Sequence, residues 1–256
     1  MDPLTLGIVG IILLVVMIFL GVPVAYASAF VGISGLFMMR GSLTAFGLAG
    51  IIPYANSASY SFSVLPLFIA IGFLALYAGI TSGAYEAARI WVGRAPGGLA
   101  TATIFASASF AAVSGASTAS ASVFTRLAIP EMEERGYDRK LAAGVVAVGG
   151  TLAALIPPSA ILVIYGIIVE ESIGRLLLAG LVPGLISVVV YIAVITIVVK
   201  VNPSLAPRLE PTSMFRKLQA LTKVWGVLAV VGIILGGIYL GWMTPTESAA
   251  VGTAII

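Results

Sequence analysis

The sequence predicts an all-α polytopic membrane protein, one half of an inverted repeat, containing a re-entrant helical hairpin and a transmembrane helix broken at a Pro-Pro pair. Three observations carry this. Only 9% of the 256 residues are charged while 60% are apolar, against about 25% charge in a soluble domain. The charges are separated by six long uncharged runs. Two of those runs hold clusters of helix breakers or small hydroxyl residues that a lipid-facing helix would not carry. The chain has no Cys and no His, which excludes disulfide frameworks, thiol chemistry, zinc sites and histidine bases together, so an enzyme is not expected. Nucleic acid is excluded as a partner too, because the net charge of +3 is what basic loops beside a bilayer produce.

The uncharged runs cover residues 3–39, 41–85, 95–125, 141–169, 176–199 and, interrupted only by Glu247, 224–256. A spanning helix needs about 20 residues, so several of them must turn or break. Gly21-Val22-Pro23 divides the first into helices at 4–20 and 23–39. Pro53 and Asn56-Ser57-Ala58-Ser59 predict a loop or interfacial segment, followed by a span at 64–82. Further spans are predicted at 141–169, 176–199 and 224–243. Ala25-Tyr26-Ala27 imitates a signal-peptidase site, but the start carries Asp2 and no basic residue, and apolar sequence continues past it. The expectation is that Met1 stays on the mature chain.

Segments 83–98, 126–140 and 200–223 hold 11 of the 13 basic residues. Placed in the cytoplasm, they put the N-terminus outside, provided that 95–125 enters and leaves on one side. Its composition favours that. Thr101–Thr125 contains ten Ser/Thr, eight Ala and only six large apolar residues. One reading is a small-residue packing helix inside a bundle. The other is a hairpin of two half-helices meeting at Ser114-Gly115-Ala116-Ser117, which is tolerated at membrane depth only where buried or lining a cavity.

The run 141–169 contains Gly149-Gly150-Thr151-Leu152-Ala153-Ala154-Leu155-Ile156-Pro157-Pro158-Ser159. Two prolines delete two amide donors and bias the preceding residue away from the helix, orphaning carbonyls near 153–156. A kink repaired by neighbours is one outcome. A discontinuous helix is the other, and in secondary transporters such carbonyls bind a cation while half-helix N-termini face an anionic group. None of the predicted spans holds Asp, Glu, Lys or Arg. A proton relay needs ionisable groups in the membrane, whereas sodium can be held by neutral oxygens, so sodium coupling is expected.

Met243-Thr244-Pro245-Thr246-Glu247 follows the span at 224–243 as Gly21-Val22-Pro23 follows the first, with the opposite expected direction. This suggests an inverted repeat whose second unit has barely begun by Ile256. Thr244, Pro245 and Glu247 have the spacing of a capping box with Pro in the first turn, a structural role. Met214–Leu221 reads as a basic amphipathic helix on the cytoplasmic surface, and 129–138 as a charged loop.

Taken together, Ala111-Ala112-Val113-Ser114-Gly115-Ala116-Ser117, Ile129-Pro130-Glu131-Met132 with Arg135-Gly136-Tyr137, Gly150-Thr151-Leu152 with Leu155-Ile156-Pro157-Pro158-Ser159, Ser172-Ile173-Gly174 with Ala179-Gly180 and Pro183-Gly184, and Thr244-Pro245-Thr246-Glu247 resemble the large (M, or DctM-type) subunit of TRAP transporters. The resemblance runs through nearly the whole chain and covers roughly the first three-fifths of such a subunit, as if truncated after the first repeat. It implies an elevator-type, sodium-driven importer of small organic acids such as C4-dicarboxylates or sialic acid, in the bacterial inner membrane. Its implied partners are a periplasmic substrate-binding protein and a small four-helix membrane subunit. It divides the chain into scaffold helices and arm (1–94), transport-type hairpin, broken helix and following span (95–199), an amphipathic connector (200–223) and the start of a second repeat (224–256).

Carried over by motif, a sodium site would take hydroxyl oxygens from Ser114 and Ser117 and backbone carbonyls from Ala153, Ile156 and Pro158, with Gly115 and Pro157 shaping the backbone. The chain departs from the resemblance at Ala153, where Gly is usual, so that carbonyl serves only if the local dihedrals suit a residue with a Cβ. The motifs leave the substrate-binding residues unknown, with part of the substrate site expected beyond Ile256, and a chain with half a mobile domain is not expected to transport alone. The alternatives are a sodium/dicarboxylate symporter that needs no binding protein and a non-transport scaffold subunit of a membrane complex.

Overall fold

A computed structural model describes residues 2–58, 60–207 and 212–256, and every regular element among them is a helix. The chain forms two units, Met1–Tyr60 and Ser61–Ile256. In the first, α1 (Pro3–Phe19) turns at Gly21, whose φ is 86°, and packs on α2 (Val24–Ser57). The loop expected around Pro53 is instead helix. Pro53 removes one donor from the ladder, but the Ala58 amide still donates to the Tyr54 carbonyl at 2.8 Å and carries the coil past it. The interruption sits earlier, at Gly41, where φ is 83°. Ser59, part of that expected loop, lies outside the described residues.

A 3-10 turn (Tyr60–Ser63) then leads into α3 (Val64–Tyr77) of the second unit. The span expected to reach 82 ends at Tyr77 because Gly79, at φ 77°, reverses the chain into α4 (Ile80–Val92). Helices α5 (Gly98–Ser114) and α6 (Ser117–Glu134) form a hairpin, followed by α7 (Arg139–Thr151), a 3-10 turn (Leu152–Ala154) and α8 (Ala160–Ile168). Then come α9 (Ile173–Val201), a second short 3-10 turn (Pro203–Leu205), α10 (Met214–Leu221), α11 (Trp225–Tyr239) and α12 (Pro245–Ile255). Residues 208–211, within the expected connector, lie outside the described residues.

The charged loop expected at 129–138 is largely helix. Phe124, Ala128 and Met132, at i, i+4 and i+8, bury one face of α6 and hold it in a coil through Pro130, and Arg89 fixes Glu131 by a 2.6 Å ion pair. Four helical stretches are long and apolar enough to cross a membrane: Val24–Ala55, Tyr60–Tyr77, Ile173–Val201 and Met214–Tyr239. On α9, Val182, Val189 and Ile197 are each at least 60% exposed. A helix that displays such residues outward faces hydrocarbon rather than water. This is a multi-pass membrane protein.

The hairpin is the most buried part of the second unit. Thirteen of the 17 residues of α5 are buried, among them Thr101, Thr103, Ser107 and Ser114. Its small side chains let α3, α4, α6, α7 and α9 pack around it. Leu99, Ile104, Phe110 and Phe124 give the hairpin its share of one apolar core. Phe68, Ile71, Val163, Leu177 and Ile234 form a second core where α3, α8, α9 and α11 meet.

Candidate functional site

The site is built where four helix ends converge. Helix α5 ends at Ser114. Gly115 reverses the chain at φ 61°, Ala116 is extended, and α6 starts at Ser117. Beside this tip the α7 coil tightens into the 3-10 turn at Leu152–Ala154 and stops, and α8 starts again at Ala160. The Ala160 amide donates to the Gly115 carbonyl at 3.0 Å, which pins the tip to the break. The approach is so close that a Cβ on Gly115 would stand 2.2 Å from the Pro158 carbonyl oxygen. Glycine is required here twice over, by its positive φ and by this contact.

The surrounding helices supply further clearances. A Cβ on Gly72 of α3 would lie 2.6 Å from the Ser114 Cβ, and one on Gly150 of α7 would lie 3.3 Å from the Ser117 carbonyl oxygen. From the other side α9 presents Gly180, whose Cβ would be 2.4 Å from the Leu155 carbonyl oxygen, and Gly184, whose Cβ would be 3.3 Å from the Ile156 amide. The backbone before the Pro pair is thus met by two glycines of α9 and Pro158 by Gly115 of the hairpin tip, while Gly72 and Gly150 close in on the tip itself.

Inside that enclosure several oxygens lack partners. The Leu152 carbonyl accepts from Leu155 and Ile156, and the Ala154 carbonyl from the Ser159 hydroxyl at 2.8 Å. Among the described residues the carbonyls of Ala153, Ile156 and Pro158 accept no hydrogen bond. Ser114, 1% exposed, holds its hydroxyl without a partner, as do the buried Ser107 and Ser120 on the two arms of the hairpin. An orphaned buried polar group costs roughly 1–3 kcal/mol, so several in one place need an explanation. Ser117 is only half-buried and begins α6. Ala153 is fully buried and its φ is negative, so the Cβ costs the backbone nothing there. Pro157 and Pro158 occupy the gap between the two helical segments, and Ser159 closes it by accepting from the Leu162 amide. Thr244, Pro245 and Glu247 lie at the start of α12, away from this enclosure in sequence, where the Thr244 hydroxyl accepts from the Glu247 amide and the Glu247 carboxylate from the Thr244 amide.

A cavity of about 670 Å³ opens beside the tip, with Gly72, Phe110, Ser114, Thr118, Ser122 and Arg126 in its wall. Thr118, Ser122 and Arg126 share one face of α6 at four-residue spacing. In the sequence Arg126 opens the basic segment 126–140, outside every predicted span. Had the helix been continued past Thr125, the i, i+4, i+8 row would have brought it to this wall. Gly72, Gly180 and Gly184 were also missed as neighbours of the site, since the clearance each gives is a property of the folded chain.

These features coincide with a family match. The family model of the tripartite ATP-independent periplasmic transporter DctM component matches residues 11–256. The chain belongs to the DctM family. The C4-dicarboxylate TRAP transporter large permease protein DctM of Pseudomonas aeruginosa is 39% identical over 199 residues, 77% of this chain and 46% of that protein. The DctM of Vibrio cholerae is 35% identical over 243 residues, 94% of this chain and 52% of that protein. A third relative, the sialic acid TRAP transporter large permease protein SiaM of Vibrio cholerae, is 31% identical over 237 residues, 93% of this chain and 55% of that protein. The chain spans about half the length of the curated relatives it matches. The DctM relationship therefore covers the hairpin, the broken helix and α9, and it agrees with a transport protein rather than an enzyme.

Proposed function

We propose that this DctM-family chain is permease sequence of a sodium-coupled, binding-protein-dependent importer of small organic acids. It would lie in the bacterial inner membrane with its N-terminus in the periplasm, and α5–α6 would be a re-entrant hairpin in a moving, elevator-type domain. One observation carries the reading: the hairpin tip is docked on the Pro157-Pro158 break around buried oxygens that have no partner. A hard monovalent cation takes several neutral oxygen ligands. The Ser114 and Ser117 hydroxyls and the Ala153, Ile156 and Pro158 carbonyls are the set offered, and bound sodium would repay the desolvation of those oxygens. The C-terminal ends of α5 and of the 3-10 turn add partial negative charge, while the N-terminal ends of α6 and α8 present amides.

The substrate class follows from what the relatives are named for and from the chemistry beside the tip. Two of them are C4-dicarboxylate permeases and one a sialic acid permease. Thr118, Ser122 and Arg126 offer a carboxylate two hydroxyls and a guanidinium. The partners implied by the family are a periplasmic substrate-binding protein and a small membrane subunit.

The test uses the purified full chain in detergent, with sodium titrated against potassium at constant ionic strength and thermal unfolding as the readout. Sodium should raise the unfolding midpoint and potassium should not, because a ligand that binds only the folded state stabilises it. Ser114→Ala with Ser117→Ala should move the half-saturating sodium concentration up by about tenfold or more, the loss of roughly 1.4 kcal/mol of binding. Ser114→Ala alone should leave the sodium-free midpoint unchanged or raised, since it deletes an orphaned hydroxyl. Superimposable sodium curves for the parent and the double variant would overturn the site.

A further inference from the structure

A second cavity, of about 800 Å³, lies between α4 and α10, remote in sequence from the hairpin tip. Among the described residues six cations line it, Arg89, Arg94, Arg135, Arg216, Lys217 and Lys223, against one carboxylate, Glu86. Two of the six are already committed, Arg89 to Glu131 at 2.6 Å and Lys223 to Glu86. Lys217 stands over the Trp91 ring, 5.8 Å from its centroid. Arg94, Arg135 and Arg216 make no ion pair among the described residues, and all three are exposed.

The cavity has a fixed frame. The Trp91 indole N–H donates to the Lys217 carbonyl at 3.0 Å, Ala220 is buried, and a Cβ on Gly83 would lie 3.2 Å from the Lys223 carbonyl oxygen. Helix α10 is therefore clamped along α4. Its other face is apolar and uncovered: Met214, Phe215, Leu218 and Leu221 are 66, 76, 57 and 49% exposed. Trp225, at the start of α11, is 70% exposed.

We infer that this cavity binds the phosphate headgroup of an anionic phospholipid whose acyl chains lie along the apolar face of α10. Uncommitted guanidiniums in a preformed hollow recognise phosphate by forked, charge-assisted hydrogen bonds. Basic pockets at the cytoplasmic edge of membrane helices hold anionic headgroups. The apolar face and the exposed tryptophan decide between the sources of phosphate. A soluble phosphate would have no use for them, whereas an amphipathic helix with Phe and Leu on one side and Arg and Lys on the other lies in the lipid interface. The lipid would fix the α4–α10 clamp at the membrane surface, independently of any ion at the hairpin.

The test is lipid retention by the full chain, measured by native mass spectrometry in detergent against added phosphatidylglycerol or phosphatidylcholine. The parent should retain phosphatidylglycerol at least tenfold better. Arg94→Gln, Arg135→Gln and Arg216→Gln together should weaken that retention on the order of a hundredfold, at about 1 kcal/mol per basic residue. The corresponding three Arg→Lys changes keep the charge but lose the fork, so they should retain lipid at a level between the parent and the Gln variant, and supply the readout if the Gln variant does not fold. A control triple of equal charge, Arg139→Gln, Lys140→Gln and Lys200→Gln, should behave as the parent. Equal loss in the control, no preference for phosphatidylglycerol, or displacement of the lipid by millimolar glycerol 3-phosphate would each overturn the proposal, the last by making free phosphate the ligand.

Discussion

The Leu99 amide donates to the phenolic oxygen of Tyr137 at 3.1 Å. Leu99 stands in the first turn of α5, where amides have no partner inside the helix. Tyr137 follows the end of α6, after Gly136 turns the chain at φ 79°. The residue just beyond the hairpin thus caps the helix that opens it, and the base of the hairpin is closed by one buried bond. Tyr137→Phe keeps the packing and removes the acceptor. It should cost about 1–3 kcal/mol, the range for stranding a buried amide, seen as a lower unfolding midpoint with unchanged helix content. Burial raises the Tyr137 pKa above the usual phenol value, and the Leu99 hydrogen bond opposes part of that rise. The neutral phenol is therefore the form favoured by folding. Its contribution should be complete below the ordinary phenol range and disappear as pH climbs through the raised value. The alkaline limb of a stability profile should be flatter in Tyr137→Phe than in the parent.

How much of this was legible in the sequence depended on whether the cause was local. The breaks at Gly21, at Ser114–Ser117 and at Pro157-Pro158 could be read directly, because glycine and proline act through their own dihedrals and missing donors. Pro53 and the charges of 129–138 misled for the opposite reason. A lone proline such as Pro53 deletes one hydrogen bond and the ladder resumes past it, while in α6 the buried row Phe124, Ala128, Met132, visible only in the packed chain, holds the charged segment in a helix. The five residues expected at the ion site were named from motifs. What the sequence could not convey was that Gly72, Gly180 and Gly184 approach those residues from α3 and α9, since no residue-to-residue spacing encodes a distance across the fold.

Those distant glycines make a paired prediction. Gly180 is buried, and a Cβ there would meet the Leu155 carbonyl oxygen at 2.4 Å and Leu162 Cδ1 at 2.6 Å. Gly232 on α11 is exposed, with nothing within 4 Å of its added Cβ. Gly180→Ala should destabilise by about 1–3 kcal/mol through overpacking, whereas Gly232→Ala should stabilise by roughly 0.5–1 kcal/mol through helix propensity. Thermal unfolding of the two variants in one detergent measures both. Equal shifts of the same sign would mean that the α9 approach to the break is not as tight as described. Because Leu155 neighbours two of the expected ion-binding carbonyls, Gly180→Ala should also weaken any sodium-dependent stabilisation, and Gly232→Ala should leave it alone.

At the start of α12 the Glu247 carboxylate accepts from the Thr244 amide at 2.8 Å and from the Thr244 hydroxyl at 2.9 Å, while the Glu247 amide donates to that hydroxyl at 3.3 Å. The box closes the first turn reciprocally. The Thr244 amide, and to a lesser degree its hydroxyl, stabilise the ionised carboxylate and hold the Glu247 pKa below its ordinary value. The sign follows from linkage: a lowered pKa in the folded state gives stability that is present above the ordinary carboxylate value and is lost as pH falls through the lowered one. Hydrogen exchange of the α12 amides should therefore accelerate relative to α9 as the medium is acidified into and below the carboxylate range, after correction for intrinsic rates. Glu247→Gln can still accept from the Thr244 amide but does not titrate, so its α12 protection should start lower and show no acid-dependent step. Thr244→Ala removes the hydroxyl and leaves the amide bond to Glu247, so a smaller acid step should survive in that variant. An α12 whose exchange is insensitive to pH in the parent chain would show that the carboxylate is not bound to the helix start in solution.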